Sequence, residues 1–171
     1  HRYLEAELEK YPGIIVETTR PDNSKAIGLP LGPFDRGAMG SGYDLVLSLH
    51  SNACGSESVN RVVGITTVNK QLYAISRGIG VRLTDVVTDV MGVSQKPSVY
   101  DKAQDDGQDW YGINRGASSV GDPSLILEHS FHTNRAAATW LLSDSNKLKL
   151  AVAEAETIAA YFGTRPDGTM A

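Results

Sequence analysis

A chain of 171 residues, 41% hydrophobic and 21% charged, has the length and balance of one globular domain with a sizeable core. Its formal net charge of −4 leaves no basic footprint and argues against nucleic-acid binding, and no apolar run approaches the roughly 18 residues of a membrane span. The single cysteine, Cys54, excludes an internal disulfide and a multi-thiolate metal site.

The chain opens on "HRYLEAELEKYPG", in which Leu4 and Leu8 stand at i and i+4 with charge between them. This reads as the second half of an amphipathic helix with no cap ahead of it, so residues upstream of His1 are expected. "IIVETT" (14–19) is β-branched and short, a strand candidate. "RPDNSKAIGLPLGP" (20–33) is loop, and "PFDRGAMGSG" (33–42) is a short helix ending at Gly40 or Gly42. "DLVLSLHSN" (44–52) is a near-continuous apolar run, as expected of a strand covered on both faces, and "RVVGITTV" (61–68) is another strand. Residues 70–91 fit a helix with Leu72, Ile75, Ile79, Leu83, Val86, Val87 and Val90 along one stripe. Residues 92–108 read as polar loop, "WYGI" (110–113) as a short strand and "SLILEHS" (124–130) as the next one. "NRAAATWLL" (134–142) and "NKLKLAVAEAETIAAYFG" (146–163) are helical, with Gly163 placed as a C-terminal cap and Asn134 as an N-cap. The division is a domain over 1–163 and a tail or linker over 164–171, "TRPDGTMA".

Strands alternating with helices predict a single α/β domain, with a mixed, largely parallel central sheet flanked by helices. In such sheets functional groups gather beyond the carboxyl ends of the strands. "DLVLSL" delivers His50 there and "SLIL" delivers Glu128. A carboxylate at the end of an oily strand is costly unless it is paired or used. Two readings stand on spacing alone: a hydrolytic zinc site, with His50 as ligand and Glu128 as ligand or base, or a His–Glu pair that ties two strands together. "EHSFH" is not the metalloprotease HExxH, because its order and context differ. His129 is expected to point away from Glu128, since strand neighbours alternate, which makes it a core residue or one that orients the site from behind. His132 falls where the strand turns into helix.

The longer phrases narrow the choice. "VETTRP", "DRGAMGSG", "YDLVLSLHSNA", "WYGINRGA" and "PSLILEHSFHTN" form an ordered set. Together they resemble the zinc-dependent N-acetylmuramoyl-L-alanine amidases of the Amidase_3 type, found in cell-wall autolysins and phage endolysins. The resemblance runs from about Tyr3 to Gly163. It implies a mixed α/β sheet, one zinc ion (Zn2+) held by two histidines and a glutamate, and a further catalytic glutamate late in the chain. By position His50 matches the second zinc histidine, Glu128 matches the catalytic glutamate, and Arg36 matches an arginine ahead of the metal-bearing strand, read as structural.

The pattern departs at the start. No "GHG" turn carrying the first zinc histidine is present, and Glu5, Glu7 and Glu9 lie too late to be the glutamate ligand. The other two ligands are therefore expected upstream of His1. On that view the sequence lacks about thirty residues, the first strand and half of the first helix.

Asn52 either fixes a loop or touches substrate. Asn114 and Arg115 are expected in a loop ahead of the catalytic strand, where they meet the muramyl peptide or are simply solvated. Trp110 and Tyr111 line a sugar groove or pack, with packing expected of Tyr111. Cys54 has no base in register to activate it and takes no part. The resemblance implies hydrolysis of the amide between N-acetylmuramic acid and L-alanine in peptidoglycan, by a secreted, cell-wall-located or phage-released enzyme, with a cell-wall-binding domain outside this chain. Two alternatives remain: another zinc amidohydrolase, and a metal-free peptidoglycan-binding module derived from the same fold.

Overall fold

The computed structural model describes residues 1–20 and 32–163. In chain order the elements are α1 (Arg2–Leu8), α2 (Pro33–Ala38), β1 (Val46–Asn52), β2 (Val63–Thr66), α3 (Tyr73–Met91), β3 (Ser98–Asp101), α4 (Gly112–Val120), β4 (Ser124–Phe131), α5 (Arg135–Leu142) and α6 (Asp144–Phe162). The strands form one sheet in the order β1-β4-β2-β3. β1 runs parallel to β4 and β2 parallel to β3, while β2 and β4 are antiparallel. The sheet is thus mixed and mostly parallel, as expected.

Strand alternation splits the core into two layers. Leu125 and Leu127 of β4 face one side, where they join Ile79, Leu83 and Val87 of α3, Leu4 and Leu8 of α1, and Leu150, Ile158 and Ala159 of α6. Ile126 faces the other side, with Val63 and Ile65 of β2, Phe131, and Tyr111 and Ile113 at the start of α4. α2 is laid against α4: a Cβ on Gly37 would meet the Ile113 carbonyl oxygen at 2.1 Å. β4 lies between two strands and is buried almost throughout, whereas β1 at the sheet edge is half-buried. The expectation that β1 is covered on both faces is corrected accordingly.

Other expectations change too. "IIVETT" has a strand's alternation, with Ile14 and Val16 packed on the core and Ile15 78% exposed, but it joins no ladder among the described residues. "WYGI" is not a strand. Tyr111 is the extended N-cap residue of α4, and Gly112 and Ile113 already belong to the helix. The packing of small residues against α2 outweighs the β-propensity of Trp, Tyr and Ile there. The loop expected over 92–108 contains β3, which is only four residues long and is made a strand by its pairing with β2. Asn114 and Arg115 therefore lie on a helix, not in a loop. Gly163 caps α6 at φ 83°, and Asn134 caps α5 by accepting the Ala137 N–H at 3.0 Å, both as expected. Most of the loop at 20–33 and the tail at 164–171 lie outside the described residues.

Candidate functional site

His50 and Glu128 are direct register partners in the parallel β1–β4 ladder, near the carboxyl ends of both strands. Partners in a ladder share a face, so the two side chains rise from the same side of the sheet. On the far side of Glu128 its antiparallel partner is Val63. The carboxylate thus stands between an imidazole and an apolar wall.

The electrostatics follow from that placement. Burial pushes the Glu128 carboxyl above its ordinary range, partly opposed by His129 and His132. Its Oε2 is buried and finds no hydrogen-bond partner among the described residues. Desolvation at the rim, with the positive charge of Arg36 next, holds the His50 imidazole below its ordinary range. Near neutral pH the pair is therefore a neutral imidazole beside a carboxyl with raised proton affinity. Such a carboxyl is suited to taking a proton from water and passing it on.

A bulge adjoins the pair. Register runs His50–Glu128 and then Asn52–Phe131, so His129 and Ser130 together oppose the single Ser51. Ser130 takes φ 61°, a left-handed conformation rare outside glycine, and its hydroxyl donates to Asn60 Oδ1 at 2.5 Å. The extra residue returns Phe131 to the face of Glu128, although the two are three positions apart.

His129 points the other way, as expected. Its Nδ1 donates to the main-chain carbonyl of His50 at 3.0 Å, and its Nε2 lies 2.6 Å from Oε1 of Glu154. Burial lowers the affinity of this imidazole for its proton, but the Glu154 charge and the two hydrogen bonds outweigh burial and leave the pKa raised. Glu154 was not singled out in the sequence. The signal was present, because helical spacing sets it among Leu150, Ala151, Ala155, Ile158 and Ala159 on the inward stripe of α6.

The remaining candidates are engaged in contacts of their own. Asn52 turns its Oδ1 back onto the Ala53 N–H at 2.8 Å and fixes the loop. Arg115 donates to the main-chain carbonyls of Asp109 and Trp110 at 2.8 and 3.2 Å, bracing the approach to α4. Asn114 is buried and donates to the Ile65 carbonyl. His132 is tied to Ser51 through Nδ1, 3.1 Å from its carbonyl oxygen. Cys54 donates to the Ser56 carbonyl. Trp110 is exposed beneath the Lys102 ammonium, 4.0 Å from the ring centroid, and Tyr111 packs with the second core layer.

A catalytic zinc takes three protein ligands and keeps one open position. Among the described residues no three His, Cys, Asp or Glu side chains converge in this way. His50 with Glu128 is an incomplete donor set, and the described residues do not by themselves fit the ion.

No family model matches the chain, and no curated protein matches it. Solved structures do. Cwp6 from Clostridium difficile superposes with a TM-score of 0.74 at 19% identity, over 91% of this chain and 23% of its own. The catalytic domain of CwlV, an N-acetylmuramoyl-L-alanine amidase from Bacillus (Paenibacillus) polymyxa var. colistinus, superposes at 0.72 with 17% identity, over 94% of this chain and 79% of its own. An N-acetylmuramoyl-L-alanine amidase from Clostridium difficile 630 gives 0.74 and 15%, over 94% and 78%. The chain thus spans under a quarter of Cwp6 and nearly four-fifths of the two amidase structures. At these identities the likeness is one of fold: the single α/β domain of this chain, with its four-stranded mixed sheet flanked by helices, superposes on these amidase structures.

Proposed function

We propose that this chain is an amidase domain that hydrolyses the amide between the lactyl group of N-acetylmuramic acid and L-alanine in peptidoglycan. The observation that carries the reading is the register pairing of His50 with Glu128 on one face at the ends of parallel strands. The "SLHSN" and "LILEHSF" phrases and the shared fold with amidase catalytic domains support it.

In this reading Glu128 is the general base and then the general acid. It removes a proton from water as the oxygen attacks the amide carbon, and it returns that proton to the departing alanine nitrogen. Water is added across the C–N bond, giving a lactyl carboxyl group and a free α-amino group. The apolar wall at Val63 keeps the carboxyl poorly solvated and hence basic enough for the first step. The neutral imidazole of His50 beside it is in the form that can bind a metal.

The reading includes zinc, with His50 as one ligand and the remaining donors outside the described residues. It also includes action at the cell wall, by a secreted or phage-released protein, and a separate wall-binding domain. Incubating the protein with purified peptidoglycan and assaying newly freed L-alanine amino termini tests it. Release that is lost in Glu128→Gln is the expected result. Wall binding without release would sink the enzyme reading and favour a binding module, and release of acyl groups from small substrates alone would favour another amidohydrolase.

A further inference from the structure

The inward stripe of α6 is apolar except at Glu154, which is 3% exposed. A buried carboxylate is costly, and replacing a buried ion pair by apolar side chains of similar volume is often neutral or stabilising. Packing alone therefore does not account for Glu154, nor for His129 buried against it.

What the pair reaches is informative. A carbonyl oxygen can only accept, so Nδ1 of His129 carries the hydrogen in its 3.0 Å bond to His50. On its other side the imidazole is held by Glu154 at 2.6 Å. The contact falls where the bulge disrupts the β1–β4 ladder, beside Ser130 in its strained conformation. His129 and the His50 side chain lie on opposite faces of the sheet. The connection between α6 and the site thus runs through the His50 peptide unit.

We propose that Glu154 and His129 are positioning residues that set the catalytic rim from behind the sheet. Glu154 fixes the imidazole, the imidazole fixes the His50 carbonyl, and the orientation of that peptide unit fixes how β1 presents the His50 side chain to Glu128. The kinetic consequence of this arrangement rests on the amidase reading; the structural consequence does not.

The test uses the double variant His129→Leu/Glu154→Leu and the single variant Glu154→Gln in the full chain. Melting temperature, amide hydrogen exchange at Ser51 and Asn52, and kcat and KM on peptidoglycan are measured together. The double variant is expected to melt near the wild type, because an apolar pair replaces a buried ionic one. Its kcat is expected to fall about 10- to 100-fold with KM little changed, the size of loss seen when groups that orient a site are removed. Exchange at Ser51 and Asn52 should quicken as the end of β1 loosens. A folded double variant with wild-type kcat overturns the proposal, whatever the exchange shows. If the double variant fails to fold, Glu154→Gln carries the same comparison, since it keeps the side chain's size. If the wild type releases nothing from the wall, the amidase reading fails and exchange alone decides: faster exchange supports positioning, and unchanged exchange overturns it.

Discussion

Glu128 and Val63 are antiparallel partners on adjacent strands, and Val63 is 2% exposed. A carboxylate beside such a side chain loses much of its hydration on that side, which is why burial raises its pKa. The base must be ionised to act. The acid limb of kcat/KM is therefore expected above the ordinary glutamate range, with activity falling as pH drops through the raised pKa. Replacing Val63 with Thr adds a hydroxyl to the wall and should move that limb toward lower pH. A limb at the ordinary glutamate value in the wild type would show that the apolar wall does not set the acidity of the group that titrates there.

Glu128→Gln separates catalysis from stability. Loss of the base should reduce wall hydrolysis by about 10²- to 10⁴-fold. Stability should move the other way. A carboxyl whose pKa is raised on folding binds its proton more tightly in the native state, so the ionised form is penalised there at neutral pH. Glutamine removes that penalty. The variant should melt above the wild type at neutral pH, and the gap should close as pH falls through and below the glutamate range. A variant less stable than the wild type at pH 7 would mean that the carboxylate has a stabilising partner in the folded protein.

The strands that carry this pair were legible in the sequence because their apolar runs end abruptly in His50 and Glu128, and a parallel α/β sheet puts such ends on one rim. Their adjacency, expected from the shared rim, is realised by a fold that brings β1 and β4 together across α3 and α4, and only the fold fixes the direct His50–Glu128 register. β3 and α4 were misread for a shared reason. Ser98–Asp101 is a strand because β2 pairs with it, and Gly112–Val120 is a helix because α2 packs on it, and neither cause is local. His129 was correctly expected to face away from Glu128 by alternation. Its bond to the His50 carbonyl was not foreseeable, because it depends on a bulge built around a non-glycine residue at positive φ. Glu154 could have been found by asking why an apolar helical stripe contains a carboxylate.

The α2–α4 contact yields a stability prediction. A Cβ on Gly116 would lie 2.0 Å from the Phe34 carbonyl oxygen and 2.9 Å from the Ala38 nitrogen, both main-chain atoms. Neither can swing aside as a side chain could, so the helices must separate. Gly116→Ala should cost about 1–3 kcal/mol or more in urea unfolding. Gly55→Ala, with no atom within 4 Å of the added Cβ, is the control and should be near neutral or slightly stabilising. Equal effects at the two positions would contradict the close helix contact.

Tyr100 of β3 supplies a prediction on the alkaline side. Its phenol is pushed up to about 12 by burial first, then by a hydrogen bond with Tyr111 and by the negative charge of Glu128, with Arg61 opposing. Unfolded, the same phenol titrates at the ordinary value of about 10. Between these values the folded chain holds a proton that the unfolded chain has released, so stability falls as pH rises through that window. Tyr100 as a residue is 38% exposed, so solvent screening limits the size of the effect. Ultraviolet titration of the seven tyrosines should show a late tyrosinate phase that disappears in Tyr100→Phe. The same variant should lose stability less steeply than the wild type between about pH 10 and 12. Identical alkaline unfolding of the two proteins would show that the Tyr100 hydroxyl is not held in its neutral form by the fold.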